Sequence, residues 1–302
     1  LDKSFSAFFR RAKKGEKPGF PRYKGRSRYN SFTYPQFGFK FKEEKKLFLS
    51  KIGTINIRKH RDIPSEATIK TCTIKREGDR WYVCFSLELP DVPHMQSFTS
   101  PVGIDVGILS IAALSDGTIH EAPGHYRRQE RRLAREQRSL CRKKRGSNNR
   151  RKQAKKAAEI HRKIANRRKD FLHKLSRSIV DKHDLIVVED LKIKNMVKNR
   201  HLSKSIADAS WGTLISMLSY KAEEAGGRVI KVDPGHTSQV CSGCGERVNK
   251  SLSVRIHSCP YCDLTIDRDV NAAINIMGSG TGLTARGGLR VAAAYEAGCP
   301  LL

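Results

Sequence analysis

The chain has 302 residues, of which 38% are hydrophobic: enough to bury one large core or two modest ones, and too apolar for wholesale disorder. Its 59 Lys+Arg against 30 Asp+Glu leave a formal net charge of +29, a field that concentrates polyanions and makes nucleic acid the expected partner. No apolar run approaches the ~18–20 residues of a spanning helix and no signal-peptide pattern opens the chain, so the reading is cytosolic, with no membrane partner.

Residues 1–36 mix bases with aromatics: Phe8, Phe9, Arg10, Arg11, Lys13 and Lys14, then Phe20, Arg22, Tyr23, Lys24, Arg28 and Tyr29. Pro18, Pro21 and Pro35, with Gly15, Gly19 and Gly25, argue against one long helix. Aromatic faces stack on bases while cations hold phosphates, which makes Arg10, Arg11, Lys13, Lys14, Arg22, Tyr23 and Lys24 candidate nucleic-acid contacts. The competing reading packs the aromatics into the sheet that follows.

Residues 37–100 read as strands. Trp81, Val83, Phe85, Leu87 and Leu89 alternate with polar neighbours, as in a half-buried strand, and Glu77-Gly78-Asp79 turns back onto residues 68–75. Residues 47–58 form another hairpin, broken at Gly53. Several short antiparallel strands predict a small barrel, closed by a linker bearing Pro90, Pro93 and Pro101.

A second domain, 101–236, opens with a buried strand at 103–107, its successor at 108–114 and a turn at Asp116-Gly117. Residues 126–181 are helical and basic, with Ile160, Ile164, Phe171 and Leu175 on one apolar stripe. Gly146-Ser147-Asn148-Asn149 divides them into two helices. Around that break Arg142, Lys143, Lys144, Arg145, Arg150, Arg151 and Lys152 are further candidate contacts, against the plainer reading of a solvated face. A strand at 185–189, one helix at 205–220 and a strand at 228–232 follow; helix is expected again at 271–277, within a final segment 265–277, and a flexible tail over 278–302.

Cys241, Cys244, Cys259 and Cys262 form a C-x2-C-x14-C-x2-C frame across residues 237–264. In a reducing compartment paired knuckles of this kind mean zinc rather than disulfides, and four thiolates close the site to substrate, so the ion is structural. His257 is a conceivable substitute ligand.

Three acids carry the chemistry. Asp105 lies in the apolar run Val102-Gly103-Ile104-Asp105-Val106, and Glu189 in Val187-Val188-Glu189. A buried strand has no ordinary use for a carboxylate unless a metal or an arginine offsets its desolvation. A third acid comes from Asp267-Arg268-Asp269. Phosphodiester cleavage needs an activated water and a stabilised leaving oxygen, which two hard cations such as Mg2+ supply from carboxylate ligands. Asp267 and Asp269, two apart on a helix, point to different faces, and Asp190 competes with Glu189 in the same way. The residues alone leave both choices open.

Gly-Ile-Asp-Val-Gly at 103–107, Val-Glu-Asp-Leu at 188–191, Lys198-Asn199-Arg200-His201-Leu202, and Thr237-Ser238-Gln239 before the four-cysteine frame resemble the TnpB (OrfB) family. So do Asp-Arg-Asp-Val-Asn-Ala-Ala and the opening with Phe8-Phe9 and Lys17-Pro18-Gly19-Phe20-Pro21. These proteins are encoded by insertion sequences and are related to type V CRISPR nucleases. The resemblance implies a multidomain α+β and α/β chain: a wedge-type β-barrel, then an RuvC (RNase H-like) domain carrying a basic helical insertion and a zinc ribbon. It implies Asp105, Glu189 and Asp269 as the catalytic acids, Mg2+ or Mn2+ as their cofactor, and Zn2+ on the cysteines. It also implies a guide RNA from the transposon end, target DNA, and a prokaryotic, nucleoid-associated setting. Family members carry a helical segment ahead of the residues seen here, and residue 1 is Leu, so a start inside a longer product is expected. A truncated or inactive binding copy and an unguided RNase H-like resolvase or transposase are the alternatives.

Overall fold

A computed structural model of the chain describes residues 2–22, 25, 29–93, 95, 97–235, 237–251 and 254–282. It divides into two units, Leu1–Asp91 and Val92–Leu302, and the division falls between Pro90 and Pro93.

The first unit begins with helix α1 (Asp2–Lys13). Phe5, Phe8 and Phe9 share one helical face. Phe20, beyond the glycines and Pro18, returns its ring edge-on to within 5.7 Å of Phe5 and 5.6 Å of Phe8. These aromatics pack on one another, with Phe9 and Phe20 still well exposed. Six strands follow: β1 (Ser31–Tyr34), β2 (Phe39–Glu43), β3 (Lys46–Leu49), β4 (Gly53–Asn56), β5 (Thr68–Glu77) and β6 (Arg80–Glu88). Val83, Phe85 and Leu87 of β6 turn inward and Cys84 and Ser86 outward, as the alternation predicted, but Trp81 at the start of the strand and Leu89 just past its end are exposed rather than buried. The β5–β6 turn places Gly78 at φ +61°, a left-handed value that glycine adopts without steric cost. Where one small barrel was expected, the described strands form two antiparallel sheets, β1-β5-β6 and β2-β3-β4, with no ladder joining them. They share a core of Leu47, Leu49, Cys72 and Ile74, lined by Tyr34, Phe39, Phe41 and Phe85.

In chain order the second unit contains β7 (Pro101–Asp105), β8 (Ser110–Leu114), β9 (Ile119–Glu121), α2 (His125–Cys141), α3 (Asn148–Val180), β10 (Leu185–Glu189), α4 (Ile193–Met196), α5 (Ser203–Ala209), α6 (Trp211–Glu224), β11 (Arg228–Val232), β12 (Ile256–Ser258), β13 (Thr265–Asp267) and α7 (Arg268–Thr281). Its main sheet has the order β11-β10-β7-β8-β9. β7, β10 and β11 are parallel, β8 is antiparallel to β7, and β9 to β8. Every residue of β10 is buried, as expected for a central parallel strand covered on both faces. One face sends Val102, Ile104, Ile186 and Val188 into a core with Leu172, Leu175 and Ile179 of α3 and Leu214 and Leu218 of α6. Helix α7 lies on the other face.

The basic stretch forms two helices, as predicted, with Ser147 capping α3 by accepting from the Arg150 amide at 3.2 Å. At 33 residues α3 is about 50 Å long, and only its second half rests on the sheet. The expected single stripe therefore divides. Ile160 and Ile164 pack with Leu133 of α2, whereas Phe171 and Leu175 join the sheet core.

Two further expectations are corrected. The helix foreseen at 205–220 is broken into α5 and α6 at Ser210, which takes a φ of +55°. The break lets Trp211 turn inward and donate its indole N–H to the Gly107 carbonyl at 3.0 Å. The last helix begins at Arg268 and continues through Thr281, so residues 278–281 of the expected tail are helical. Residues 283–302 of that tail lie outside the described residues. Among the described residues no helix is long and apolar enough to cross a membrane.

The seat of α7 is unusually close. A Cβ built on Gly103 would meet the Ala273 carbonyl at 2.0 Å and the Met277 amide at 2.6 Å, both backbone atoms that no rotamer change can move. Gly103→Ala should therefore cost at least ~1–3 kcal/mol. In a thermal melt that is a fall of about 2–4 °C per kcal/mol. An unchanged melting temperature would show that α7 is not seated on β7 in this way.

Candidate active site and metal centre

Strand register brings two of the acids together. In the parallel β7–β10 pair Gly103 is opposite Val187 and Ile104 opposite Val188. Alternate residues face opposite sides, so Ile104 and Val188 enter the core while Gly103, Asp105, Val187 and Glu189 face α7. Asp105 and Glu189 are the last residues of neighbouring strands, whose backbones are ~4.8 Å apart. Helix α7 runs back from those strand ends, with Ala273 and Met277 over Gly103 and Gly280 against Val187. Its first turn, bearing Asp269, thus meets the carboxyl ends of the sheet.

The choice between neighbouring acids follows from where α7 begins. Asp267 is its N-cap, accepting from the amides of Asp269 at 2.8 Å and Val270 at 3.2 Å. Asp269 Oδ2 accepts from Ser110 Oγ at 3.2 Å, and Oδ1 accepts from Arg268 Nε at 3.3 Å and Nη2 at 3.0 Å. Arg255 Nη1 lies 3.8 Å from Oδ2. On β10, Glu189 is buried and accepts from Thr237 Oγ1 at 2.7 Å, while Asp190 is half exposed and pairs with Lys192.

Burial pushes the Asp105 carboxyl up to about 7, and the charges of Glu189 and Asp269 push the same way against Arg268. Burial also raises Glu189, joined by Asp233 and opposed by the Thr237 hydrogen bond. Asp105 and Glu189, both with raised proton affinity at a strand-end crevice, are a favourable place for cations. The three acids do not crowd onto one point: among the described residues only the four cysteines have all their ligand atoms within 4.8 Å of one another. Acids spread wider than that suit a pair of cations ~3.5–4 Å apart.

The cysteines fit a single tetrahedral ion. Cys241 and Cys262 sulfurs are 3.7 Å apart and those of Cys244 and Cys259 3.6 Å. A tetrahedron with metal–sulfur bonds of ~2.3 Å has edges of ~3.8 Å. His257 is fully buried against Lys250 and stays outside this group. The module is tied to α7 by two asparagines one turn apart. Asn271 accepts from the Ser242 amide at 2.9 Å and donates to the Val240 carbonyl at 2.8 Å. Asn275 donates to the carbonyls of Thr237 at 2.8 Å and Val240 at 2.7 Å.

Of the candidate nucleic-acid contacts, Arg10, Arg11, Lys13, Lys14, Arg22, Arg142, Lys144, Arg145, Arg151 and Lys152 are exposed and Lys143 is half-buried. Arg150 is committed elsewhere: it donates to the carbonyls of Leu140 at 2.8 Å and Lys143 at 3.1 Å, closing the end of α2. Tyr23 and Lys24 lie outside the described residues. Sequence reasoning missed Ser110, Thr237, Arg268, Asn271 and Asn275 as partners of the two centres. Three of these, Thr237, Arg268 and Asn271, lie inside motifs already singled out, but spacing alone does not say which atoms they reach.

Asp105 yields a pH-dependent expectation. Its folded value lies above the 3.8 of a free carboxyl, so its contribution to stability is full below about pH 4 and is lost as pH rises through about 7. The loss amounts to roughly 4 kcal/mol. Without added divalent cation, Asp105→Asn should be more stable than the parent, and the advantage should grow from pH 5 to pH 8. Parallel denaturation profiles for the two proteins across that range would contradict the burial argument.

Known proteins resemble this chain over most of its length. A family model described as "Probable transposase" (OrfB_IS605) matches residues 84–200, and one described as "Cas12f1-like, TNB domain" matches 211–276. The chain is 34% identical over 304 residues to the "Putative RNA-guided DNA endonuclease InsQ" of Escherichia coli (strain K12), covering 95% of this chain and 74% of that protein. It is 38% identical over 291 residues to a "Putative RNA-guided DNA endonuclease" of Streptomyces pristinaespiralis, covering 95% and 71%. The CRISPR-associated endodeoxyribonuclease Cas12f1 of Sulfoacidibacillus thermotolerans is 28% identical over 66% of this chain and 50% of its own length. Among solved structures, a Cas12f1–sgRNA–target DNA complex matches at a TM-score of 0.50 and 20% identity, over 70% of this chain and 46% of that one, a likeness of fold. With relatives this similar over nearly its whole length, the chain belongs to the TnpB (OrfB) family.

Proposed function

We propose that this protein is an RNA-guided DNA endonuclease of a transposable element, hydrolysing target DNA at an RuvC-type site formed by Asp105, Glu189 and Asp269. The observation that carries the reading is the meeting of these acids where β7, β10 and the first turn of α7 converge. The sheet order, with three parallel strands beside an antiparallel meander, supports an RNase H-like second unit. The first unit would be the wedge-type module. The relatives' names and the +29 charge support a guide RNA and target DNA as partners.

Mg2+ or Mn2+ bound by the three acids would supply the activated water and the stabilisation of the leaving oxygen. The chain's own part is positional. Asp105 is central, close enough to both other acids for their charges to act on it. Thr237 holds one oxygen of Glu189, and Ser110 and Arg268 hold Asp269. Zn2+ on Cys241, Cys244, Cys259 and Cys262 would fix the ribbon rather than react, since four thiolates leave no open position.

Purified with the RNA it carries, the protein should cut DNA matching that RNA. Asp105→Ala should reduce cutting below detection while RNA binding stays near the parent level. Undiminished cutting by that variant excludes the proposed site, and a heterogeneous smear of bound RNA excludes guidance. For the ribbon, Cys244→Ser should lower zinc measured by atomic absorption; full zinc content would refute the four-sulfur assignment.

A further inference from the structure

Two of the three acids are held from the ribbon. Thr237, four residues before Cys241, donates Oγ1 to Glu189 Oε1 at 2.7 Å. Its backbone is not free to drift, because Asn275 fixes the Thr237 carbonyl at 2.8 Å and the Val240 carbonyl at 2.7 Å, the latter adjacent to a cysteine ligand. On the other side, Arg268 spans the same module and the other outer acid. Its Nη1 donates to the Val254 carbonyl at 3.1 Å, in the stretch leading into β12, while Nε and Nη2 grip Asp269 Oδ1. The Arg268 amide also donates to the Arg255 carbonyl at 2.8 Å.

In each case the contact engages one oxygen. Held at Oε1, Glu189 presents its other oxygen in a defined direction, whereas Asp269 is fixed at Oδ1 by Arg268 and at Oδ2 by Ser110; partners of this kind orient metal ligands and tune their affinity. The main core does not need either contact: its apolar residues come from the sheet, α3 and α6. The ribbon has little core of its own, so the order of the segments carrying Thr237 and Val254 depends on the four-cysteine site.

We propose that Thr237 and Arg268 are positioning residues through which the ribbon orients Glu189 and Asp269, so that filling the four-cysteine site and binding of divalent cations at the acids are linked. The proposal rests on the reading of the three acids as cation ligands and adds a regulator to that site. Linkage is reciprocal: whatever ordering of the ribbon gains for cation affinity, cation binding returns as ribbon stability.

The test is calorimetric titration of Mn2+ alone into the whole protein, without nucleic acid. Thr237→Val keeps the side-chain shape and deletes the hydroxyl. It should weaken Mn2+ binding by about 10-fold or more while zinc content and melting temperature hold. Thr237→Ser should restore most of the affinity, and Cys244→Ser should weaken Mn2+ binding despite an intact set of acids. In cleavage, Thr237→Val should raise the half-activating Mg2+ concentration. Mn2+ binding by Thr237→Val equal to that of the parent overturns this inference alone. Failure of the parent to bind Mn2+ more tightly than Asp105→Asn overturns the reading of the acids, and the inference with it.

Discussion

Three carboxylates gathered at the ends of buried strands repel one another and lose hydration together, and most of the second unit is arranged around that conflict. Each acid meets it differently. Asp105, in the middle, keeps its proton to about neutrality. Glu189 takes a hydroxyl donor from Thr237. Asp269 has a guanidinium, a serine and the first turn of α7, whose positive dipole end favours an anion. The backbone serves the same end. Glycine at 103 lets α7 touch β7 backbone to backbone, and glycine at 280 lets it touch Val187. A bulkier residue two positions before Asp105 would lift the helix and carry Asp269 away from its partners. The small side chain and the acid are thus one device: the first sets the distance at which the second can act.

The acid cluster and the four-cysteine cluster also share a support. Helix α7 offers Asp269 to the acids and, further along, Asn271 and Asn275 to the ribbon. Asn271 is completely buried, where an amide persists only if its donors and acceptor are met, and both the Ser242 amide and the Val240 carbonyl meet it. A single helix therefore registers the ribbon against the strand ends. Trp211 performs a comparable task beneath the other side, holding the Gly107 carbonyl in the loop that leaves Asp105.

Much of this was legible because period and punctuation are local. The alternation in β6, the turn at Gly78, the break before α3 and the cysteine frame each declare themselves within a dozen residues, and acids inside apolar runs singled out Asp105 and Glu189. What was not legible depended on distant partners. Whether Asp267 or Asp269 faces the site turns on the first residue of α7: a start at Arg268 makes Asp267 the N-cap, a boundary that spacing alone does not place. The left-handed position at the break is a serine, not a glycine; its backbone goes with Trp211 bonding to Gly107 and Arg168 Nη1 donating to Ser210 Oγ at 3.2 Å. Thr237 and Glu189 are 48 residues apart, beyond any local pattern. Arg150 looked like one more surface cation, yet its guanidinium ends a helix.

That last case sharpens the question of what the basic hairpin is for. A solvated helix face normally intersperses both signs. Along the shafts of α2 and α3 acids are outnumbered but present: Glu130 pairs with Arg127 and Lys204, Glu159 with Arg162, Asp170 with Lys174 and, at the C-cap, Asp181 with Arg177. At the tip the mixing fails, for residues 141–152 contain seven bases and no acid. Subtracting Arg150, which α2 uses, still leaves six like charges on one short turn and the helix ends beside it. Their mutual repulsion is relieved by no neighbour in sequence, and hydration alone gives no reason to concentrate them at this end. A polyanion laid against the tip would supply the missing sign, and each phosphate so met would release counterions and add salt dependence to binding. The hairpin core of Leu133, Ile160 and Ile164 then has a purpose beyond packing: it holds that charge out beyond the part of α3 that rests on the sheet.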